Sequence, residues 1–143
     1  MRYLLDASAL LPLVTKLGRN LIARAVRDWV ATTDLAIYEA CNSLWKLSSL
    51  LGSLSLKEGM ETLNVIRELT ETDTIHLIGQ SDLDLAATLT FTSEQKLTFY
   101  DASYVIIAED HEATLVTQDE DLNKAARSRV EVIDYADLEH RMS

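Results

Sequence analysis

The sequence contains few of the residues that interrupt or cross-link a chain. Of its 143 residues, four are glycine, one is proline and one, Cys41, is cysteine. An intrachain disulfide is therefore impossible and a cysteine-based zinc site is not expected, which fits a reducing compartment such as the cytoplasm. With so few glycines and prolines, long flexible linkers are not expected either.

Long hydrophobic runs are also missing. The longest apolar stretches, residues 4–14 and 104–108, are too short for a membrane span, and Asp6 interrupts the first of them. The same aspartate falls inside what would be the apolar part of a signal peptide, and no small-residue cleavage site follows it. The sequence thus predicts a soluble, cytoplasmic protein with no membrane partner.

Positive charge is scarce, because 13 Lys and Arg stand against 23 Asp and Glu and give a formal net charge of −10. Proteins that bind polyanions usually attract phosphates with cationic side chains, and this chain as a whole repels them. A nucleic-acid role would therefore require bound metal cations or a local basic patch. The candidates for contacts with a nucleic-acid backbone or with an acidic partner segment are Lys16, Arg19, Arg24, Arg27 and Lys46.

The composition that remains, 48% hydrophobic and 25% charged, is sufficient for one folded domain over residues 1–143. Apolar patterns predict strands at residues 2–5, 35–38, 75–78, 113–117 and 130–133. Helices are predicted from residue 8, at 20–31, 39–51, 55–70, from 81, and at 100–111, 120–128 and near 138. Strands that alternate with helices are typical of α/β proteins. The expected fold is a three-layer α/β/α domain with a central parallel sheet of about five strands.

Two of these helices have distinct signals. The helix at 20–31 is predicted from one apolar stripe, made of Leu21, Ile22, Ala25, Val26, Trp29 and Val30. The helix at 55–70 begins with a capping box, because Ser55 is followed three residues later by Glu58.

Acidic residues follow three of the predicted strands. Asp6 ends the first strand, Glu39 follows the second, and Asp119 lies just beyond the fourth, while Asp101 occupies the first turn of the apolar helix at 100–111. In open α/β sheets, ligands bind beyond the carboxyl ends of the strands. We therefore expect these four carboxylates to lie at one edge of the sheet.

Converging carboxylates repel one another unless a cation compensates them. Asp6 and Asp101 lie in apolar runs, where a carboxylate loses hydration, and no Lys or Arg adjoins them. A divalent metal ion would remove the conflict, and magnesium prefers such oxygen ligands. The alternative for each acid alone is a helix cap, and that role is expected for Asp121.

Four segments resemble the PIN-domain nucleases, in particular the VapC-type toxins of toxin–antitoxin pairs. They are residues 4–8 (LLDAS), 39–44 (EACNSL) with Lys46, 100–104 (YDASY), and 115–119 (LVTQD) with Leu122, in this order over nearly the whole chain. The resemblance implies a metal-dependent endoribonuclease that hydrolyses RNA phosphodiester bonds. It also implies that Asp6, Glu39, Asp101 and Asp119 bind one or two Mg²⁺ or Mn²⁺ ions.

The same resemblance implies supporting residues and partners. Ser8, Asn42 and Thr117 match positions that support the acids through hydrogen bonds, although a helix cap or turn contact is an equal alternative for Ser8. A homodimer and inhibition by a small antitoxin protein are also implied. Two other functions remain open: a PIN-type nuclease in RNA maturation or DNA repair, and a non-catalytic PIN-like binding module.

Overall fold

The computed structural model describes the whole chain, residues 1–143. Its strands are β1 (Arg2–Leu5), β2 (Trp29–Thr33), β3 (His76–Ile78), β4 (Thr114–Val116) and β5 (Val132–Ile133). They form one sheet in the order β3-β2-β1-β4-β5, and every neighbouring pair is parallel. The predicted parallel sheet of five strands is confirmed.

Eight helices flank this sheet in a three-layer α/β/α arrangement. They are α1 (Ala7–Lys16), α2 (Leu21–Arg24), α3 (Asp34–Trp45), α4 (Leu56–Glu71), α5 (Leu85–Gln95), α6 (Phe99–Asp110), α7 (Glu120–Ala126) and α8 (Tyr135–Met142). A π-helical turn at Lys46–Leu50 prolongs α3, and short 3-10 turns lie at Gly18–Asn20 and Gln80–Asp82. No helix has both the length and the hydrophobicity to cross a membrane.

The core lies around the two central strands. Tyr3, Leu4 and Leu5 of β1 are buried, as is all of β4. Helix α6 covers them with seven consecutive buried residues, from Ala102 to Ala108, which explains why its sequence is apolar on nearly every face. The segments that follow β1 and β4 therefore leave the sheet from its best-packed part.

The predicted helix at 20–31 and the predicted strand at 35–38 are both wrong. Helix α2 ends at Arg24, and β2 begins at Trp29 and pairs with β1 from Arg2–Trp29 to Leu5–Thr32. Pairing with a central strand and burial of Val30 decide for the strand, because short apolar runs are ambiguous between the two structures. Residues 35–38 lie inside α3, which Thr33 caps.

The other predicted elements are confirmed with shifts at their ends. The capping box of α4 is formed, with Glu58 N–H donating to Ser55 Oγ at 3.1 Å. The helix predicted from Ser81 begins at Leu85, because Asp84 is its cap.

Candidate active site at the carboxyl edge of the sheet

Asp6 and Asp119 come from the two central strands. Asp6 directly follows β1, and Asp119 lies in the turn after β4. Each also caps a helix, since Asp6 Oδ1 accepts from Ala9 N–H at 3.0 Å and Asp119 Oδ1 accepts from Leu122 N–H at 3.0 Å. Asp119, and not the predicted Asp121, is therefore the cap of α7. Capping uses one oxygen of each carboxylate, so it does not exclude a second role.

Asp6 accepts hydrogen bonds from Ser8, in the first turn of α1, and from Thr117, just after β4. Ser8 Oγ donates to its Oδ1 at 2.6 Å, and Thr117 Oγ1 donates to its Oδ2. Thr117, which is 1% exposed, also accepts from Asp119 N–H at 3.1 Å, and Ser8 Oγ accepts from Gln118 N–H at 2.8 Å. Two of the predicted supporting residues, Ser8 and Thr117, are thus brought together with the acids, and Thr117 connects Asp6 to Asp119.

Asn42 is not part of this network. Its side chain is exposed on α3 and forms no hydrogen bond. It lies one helical turn beyond Glu39 and forms no hydrogen bond with any of the four acids.

Glu39 reaches the site from the second turn of α3 and not from the end of a strand, as its sequence position had suggested. The hydroxyl of Tyr104, which is 2% exposed on α6, donates to Glu39 Oε1 at 2.7 Å. Burial, together with the hydrogen bond and charge of Glu39, raises the pKa of Tyr104 far above its usual value, so this hydroxyl remains a donor.

Tyr104 was not predicted to be a site residue. A usable signal was present, because Tyr104 lies one helical turn beyond Asp101 in an apolar helix. A buried tyrosine hydroxyl normally needs a hydrogen-bond partner.

Asp101 lies in the first turn of α6, where its N–H donates to Thr98 Oγ1 at 3.1 Å. Burial raises the pKa of its carboxyl, and the charges of Asp119 and Glu39 raise it further. Burial likewise raises the pKa of Asp6, against the hydrogen bonds from Ser8 and Thr117, and the charge of Glu39 adds to the rise. The four carboxylates therefore interact electrostatically at one edge.

No side-chain cation neutralises this edge. None of the six ion pairs of the chain includes Asp6, Glu39, Asp101 or Asp119. No group of three or more His, Cys, Asp or Glu side chains is arranged here to hold a metal ion together. The donors are nevertheless all carboxylate oxygens, one Asp119 oxygen remains outside the cap, and Mg²⁺ is commonly held by one or two carboxylates and several waters. The donor chemistry thus fits a hard divalent ion.

The predicted basic patch lies elsewhere. Arg19 Nε donates to Glu68 Oε2 at 2.5 Å, and Lys16 Nζ lies 4.8 Å from the ring of Tyr135. Arg24 and Arg27 precede β2, toward the amino edge of the sheet. Lys46 follows α3, about 10 Å along the helix axis from Glu39. The structure does not bring any of these five residues into contact with the acids.

Two open hollows adjoin the acids. One, of about 520 Å³, includes Asp101 and Asp121 together with Lys96 and Lys124. The other, of about 200 Å³, includes Thr117 and Asp119. Asp101 and Asp119 are therefore accessible to a ligand from the side of α7.

Known proteins share both the sequence and the fold. The family model described as "PIN domain" matches residues 3–128. A protein named "Exonuclease VapC9" from Pyrobaculum aerophilum is 33% identical over 138 residues, which cover 92% of this chain and 91% of that protein. PIN-domain nucleases generally use divalent metal ions.

Two solved structures give the same result. The crystal structure of PAE2754 from Pyrobaculum aerophilum has a TM-score of 0.78 and 32% identity, covering 99% of this chain and 89% of that one. The structure of VapBC-1 from nontypeable Haemophilus influenzae has a TM-score of 0.62 over 95% of this chain and 99% of that one, and at 14% identity it shows the fold alone. The resemblance found in the sequence is confirmed, and the chain belongs to the PIN-domain family of nucleases.

Proposed function

We propose that this chain is a metal-dependent ribonuclease that hydrolyses RNA phosphodiester bonds, and that it is the toxin of a type II toxin–antitoxin pair in the cytoplasm. The observation that carries the proposal is the edge where four acids interact and none of them forms an ion pair. The similarity to the protein named VapC9 supports the toxin assignment.

Asp6, Glu39, Asp101 and Asp119 would hold one or two Mg²⁺ or Mn²⁺ ions. Such an ion, when bound, polarises a phosphate and lowers the pKa of a bound water. The remaining network orients the acids: Ser8 and Thr117 fix both oxygens of Asp6, and Tyr104 fixes one oxygen of Glu39. Carboxylates held in place before the substrate arrives reduce the entropy that must be lost in the reaction.

The exposed apolar side chains of α3 and its extension support a protein partner. Tyr38 is 78% exposed, Trp45 50%, Leu50 62% and Leu51 70%, and side chains of this kind are common at protein interfaces. We assign this surface to contacts with an antitoxin or with the second copy in a homodimer.

The test is cleavage of RNA in Mg²⁺ and in EDTA, by the wild type, Asp101→Asn and Asp110→Asn. The first substitution removes one charge of the site while keeping its shape. The second makes the same change at the exposed, far end of α6 and serves as the control. We expect cleavage only in Mg²⁺, and only by the wild type and the control. Equal activity under all conditions would refute the proposal.

The relative is named an exonuclease, whereas the sequence resemblance implies an endonuclease. RNA labelled at its 5′ end and, in a second sample, at its 3′ end distinguishes the two activities. Internal cuts by an endonuclease give long labelled fragments in both samples. An exonuclease releases mononucleotides from one end only.

A second measurement separates the nuclease from a non-catalytic binding module. Mg²⁺ should raise the Tm of the wild type, since a ligand that binds the folded state stabilises it, and it should raise the Tm of Asp101→Asn less. A Tm that does not respond to Mg²⁺ would favour the binding module. Growth arrest on expression, reversed by a small co-encoded protein, would favour a toxin over a nuclease of RNA maturation or DNA repair.

A further inference from the structure

The hollow beside Asp101 contains two lysines. We call it the lysine cleft, and it is lined by Gln95, Lys96, Leu97, Thr98, Asp101, Asp121, Lys124 and Ala125. The end of α5 and the start of α6 form one wall, and α7 forms the other. Lys96 and Lys124 therefore lie on opposite walls.

Neither lysine is neutralised, although Asp101 and Asp121 line the same cleft. Lys96 and Lys124 form no ion pair within 4.0 Å, whereas Arg19, Arg129 and Arg141 elsewhere are paired with glutamates. Neither ammonium donates a hydrogen bond to the protein. Both are thus available to a phosphate, which an ammonium binds as a compact positive charge.

Lys96 is one of three non-glycine residues with a positive φ, and the others are Asp73 and Glu112. Lys96 follows α5 in the left-handed conformation, with φ 56, where glycine or asparagine is favoured. A side chain at such a position is less stable than glycine would be. Glycine can therefore replace Lys96 without strain in the backbone.

We propose that Lys96 and Lys124 bind the phosphates next to the scissile one, so that the lysine cleft is the path of single-stranded RNA along the enzyme. This inference rests on the proposed function, because it takes the acidic edge as the place of cleavage. It accounts for a polyanion substrate on a chain of net charge −10, since two unpaired cations border the acids that a metal would neutralise.

The test measures binding and cleavage separately. A fluorescent single-stranded RNA oligonucleotide is titrated with the wild type, Lys96→Gly and Lys124→Gln in Ca²⁺ at several salt concentrations, and the RNA is checked for integrity afterwards. Each variant should bind several-fold more weakly, and its salt slope should fall by about 0.7, the value for one phosphate contact on a single strand. In Mg²⁺, KM for cleavage should rise with little change in kcat.

Lys96→Gly also separates binding from folding, because glycine relieves the left-handed backbone. Its Tm should be equal to or above that of the wild type while its affinity for RNA falls. Glu112→Gly is the matched backbone control, since Glu112 has φ 51 and follows the far end of α6. Lys57→Gln, at an exposed position of α4, is the matched charge control. Neither control should reduce the salt slope, and Lys96→Arg should restore binding.

Unchanged affinity and salt slope in Lys96→Gly and Lys124→Gln would overturn the inference even if the wild type cleaves RNA. Failure of the wild type to bind the oligonucleotide would overturn it as well. Lysine-dependent binding without any metal-dependent cleavage would instead refute the proposed function and leave the lysine contacts in place.

Discussion

The acidic residues at the two edges of the sheet have different hydrogen-bond and ion-pair partners. At the amino edge, Asp28 Oδ1 lies 3.1 Å from the N-terminal ammonium, and Glu131 Oε1 accepts from Arg141 at 2.7 Å. At the carboxyl edge, Asp6 and Glu39 accept hydrogen bonds only from uncharged groups. Asp28 and Glu131 at the first edge are thus paired with cations, whereas Asp6 and Glu39 at the second edge are not.

This difference indicates that the carboxyl edge lacks stabilising ion pairs because its acids serve a function. Pairing at the amino edge is extensive, since Arg2 also covers Trp29, 3.9 Å from its ring, and donates to the carbonyl of His111 at 2.7 Å. The chain thus has cationic side chains that can neutralise exposed acids. Groups whose pKa is raised by burial and like charges tend to lie at functional sites, as Asp6 and Asp101 do here.

A comparison of Thr117→Val with Thr32→Val tests whether two buried threonines, one just after β4 and one in β2, differ in role. Thr117→Val removes the hydroxyl that holds Asp6, and we expect metal affinity and RNA cleavage to fall about 10–100-fold, the range for residues that orient metal ligands. Thr32 is equally buried and donates to the Leu5 carbonyl at 2.8 Å. Thr32→Val should lower the free energy of unfolding by about 1 kcal/mol and leave activity unchanged. Equal loss of activity in both variants would show a general effect of packing.

Tyr104→Phe and Tyr3→Phe make the same change at opposite edges. Tyr104→Phe frees Glu39 from its only side-chain donor, and cleavage at limiting Mg²⁺ should fall about tenfold. Tyr3 is buried in β1 near Arg141, and its substitution should not change cleavage. Saturating Mg²⁺ should partly restore cleavage by Tyr104→Phe, because Tyr104 positions a metal ligand and is not itself a ligand. A defect that Mg²⁺ does not relieve would contradict this role.

Asp101→Asn and Asp28→Asn should change stability in opposite directions in EDTA. Asp101→Asn removes a carboxylate that burial and three neighbouring acids disfavour, so its Tm should rise on the order of 2 °C. Asp28→Asn removes the partner of the N-terminal ammonium, so its Tm should fall by a similar or smaller amount. Thermal unfolding measured by circular dichroism is sufficient, and a fall for both variants would remove the contrast between the edges.

Glu131→Gln tests the amino edge through pH. Hydrogen bonds from Arg141 and Thr114 lower the pKa of Glu131 in the folded chain. A carboxyl whose folded pKa is lowered adds stability above its ordinary pKa, and this stability is lost as the pH falls through the lowered value. The urea midpoint of Glu131→Gln should be slightly below that of the wild type at pH 7, and the two should converge as the pH falls through the lowered pKa of Glu131. A difference that grows on acidification would contradict the pairing.

The strands and helices that contribute three of the four acids could be predicted from local patterns. The segments around Asp6, Asp101 and Asp119 combine apolar runs with caps, and their structures follow those patterns. Residues 20–38 could not be predicted, because the stripe from Leu21 to Val30 has helical spacing while Trp29–Thr33 forms β2 through pairing with residues 27 positions earlier. Glu39 was placed at the correct edge for an incorrect reason, since α3 begins at that edge.

Contacts between side chains that are far apart in the sequence could not be predicted from local patterns either. Tyr104 and Glu39 lie 65 residues apart, and Lys96 and Lys124, which line the same hollow, belong to segments on either side of α6 in the sequence. The basic patch at Lys16–Arg27 was judged by proximity in sequence alone, which carries no information about the edge of the sheet to which a residue belongs.

The strand order has a consequence for biosynthesis. Strand β1 is made first, yet its neighbour β4 begins at Thr114, so the hydrogen bond between Thr117 and Asp6 closes a span of 111 residues. Closing so large a loop is entropically costly and depends on the contacts of the completed sheet. A growing polypeptide therefore cannot assemble the acidic edge before Asp119 has been synthesised, and products truncated before this residue would lack part of the edge.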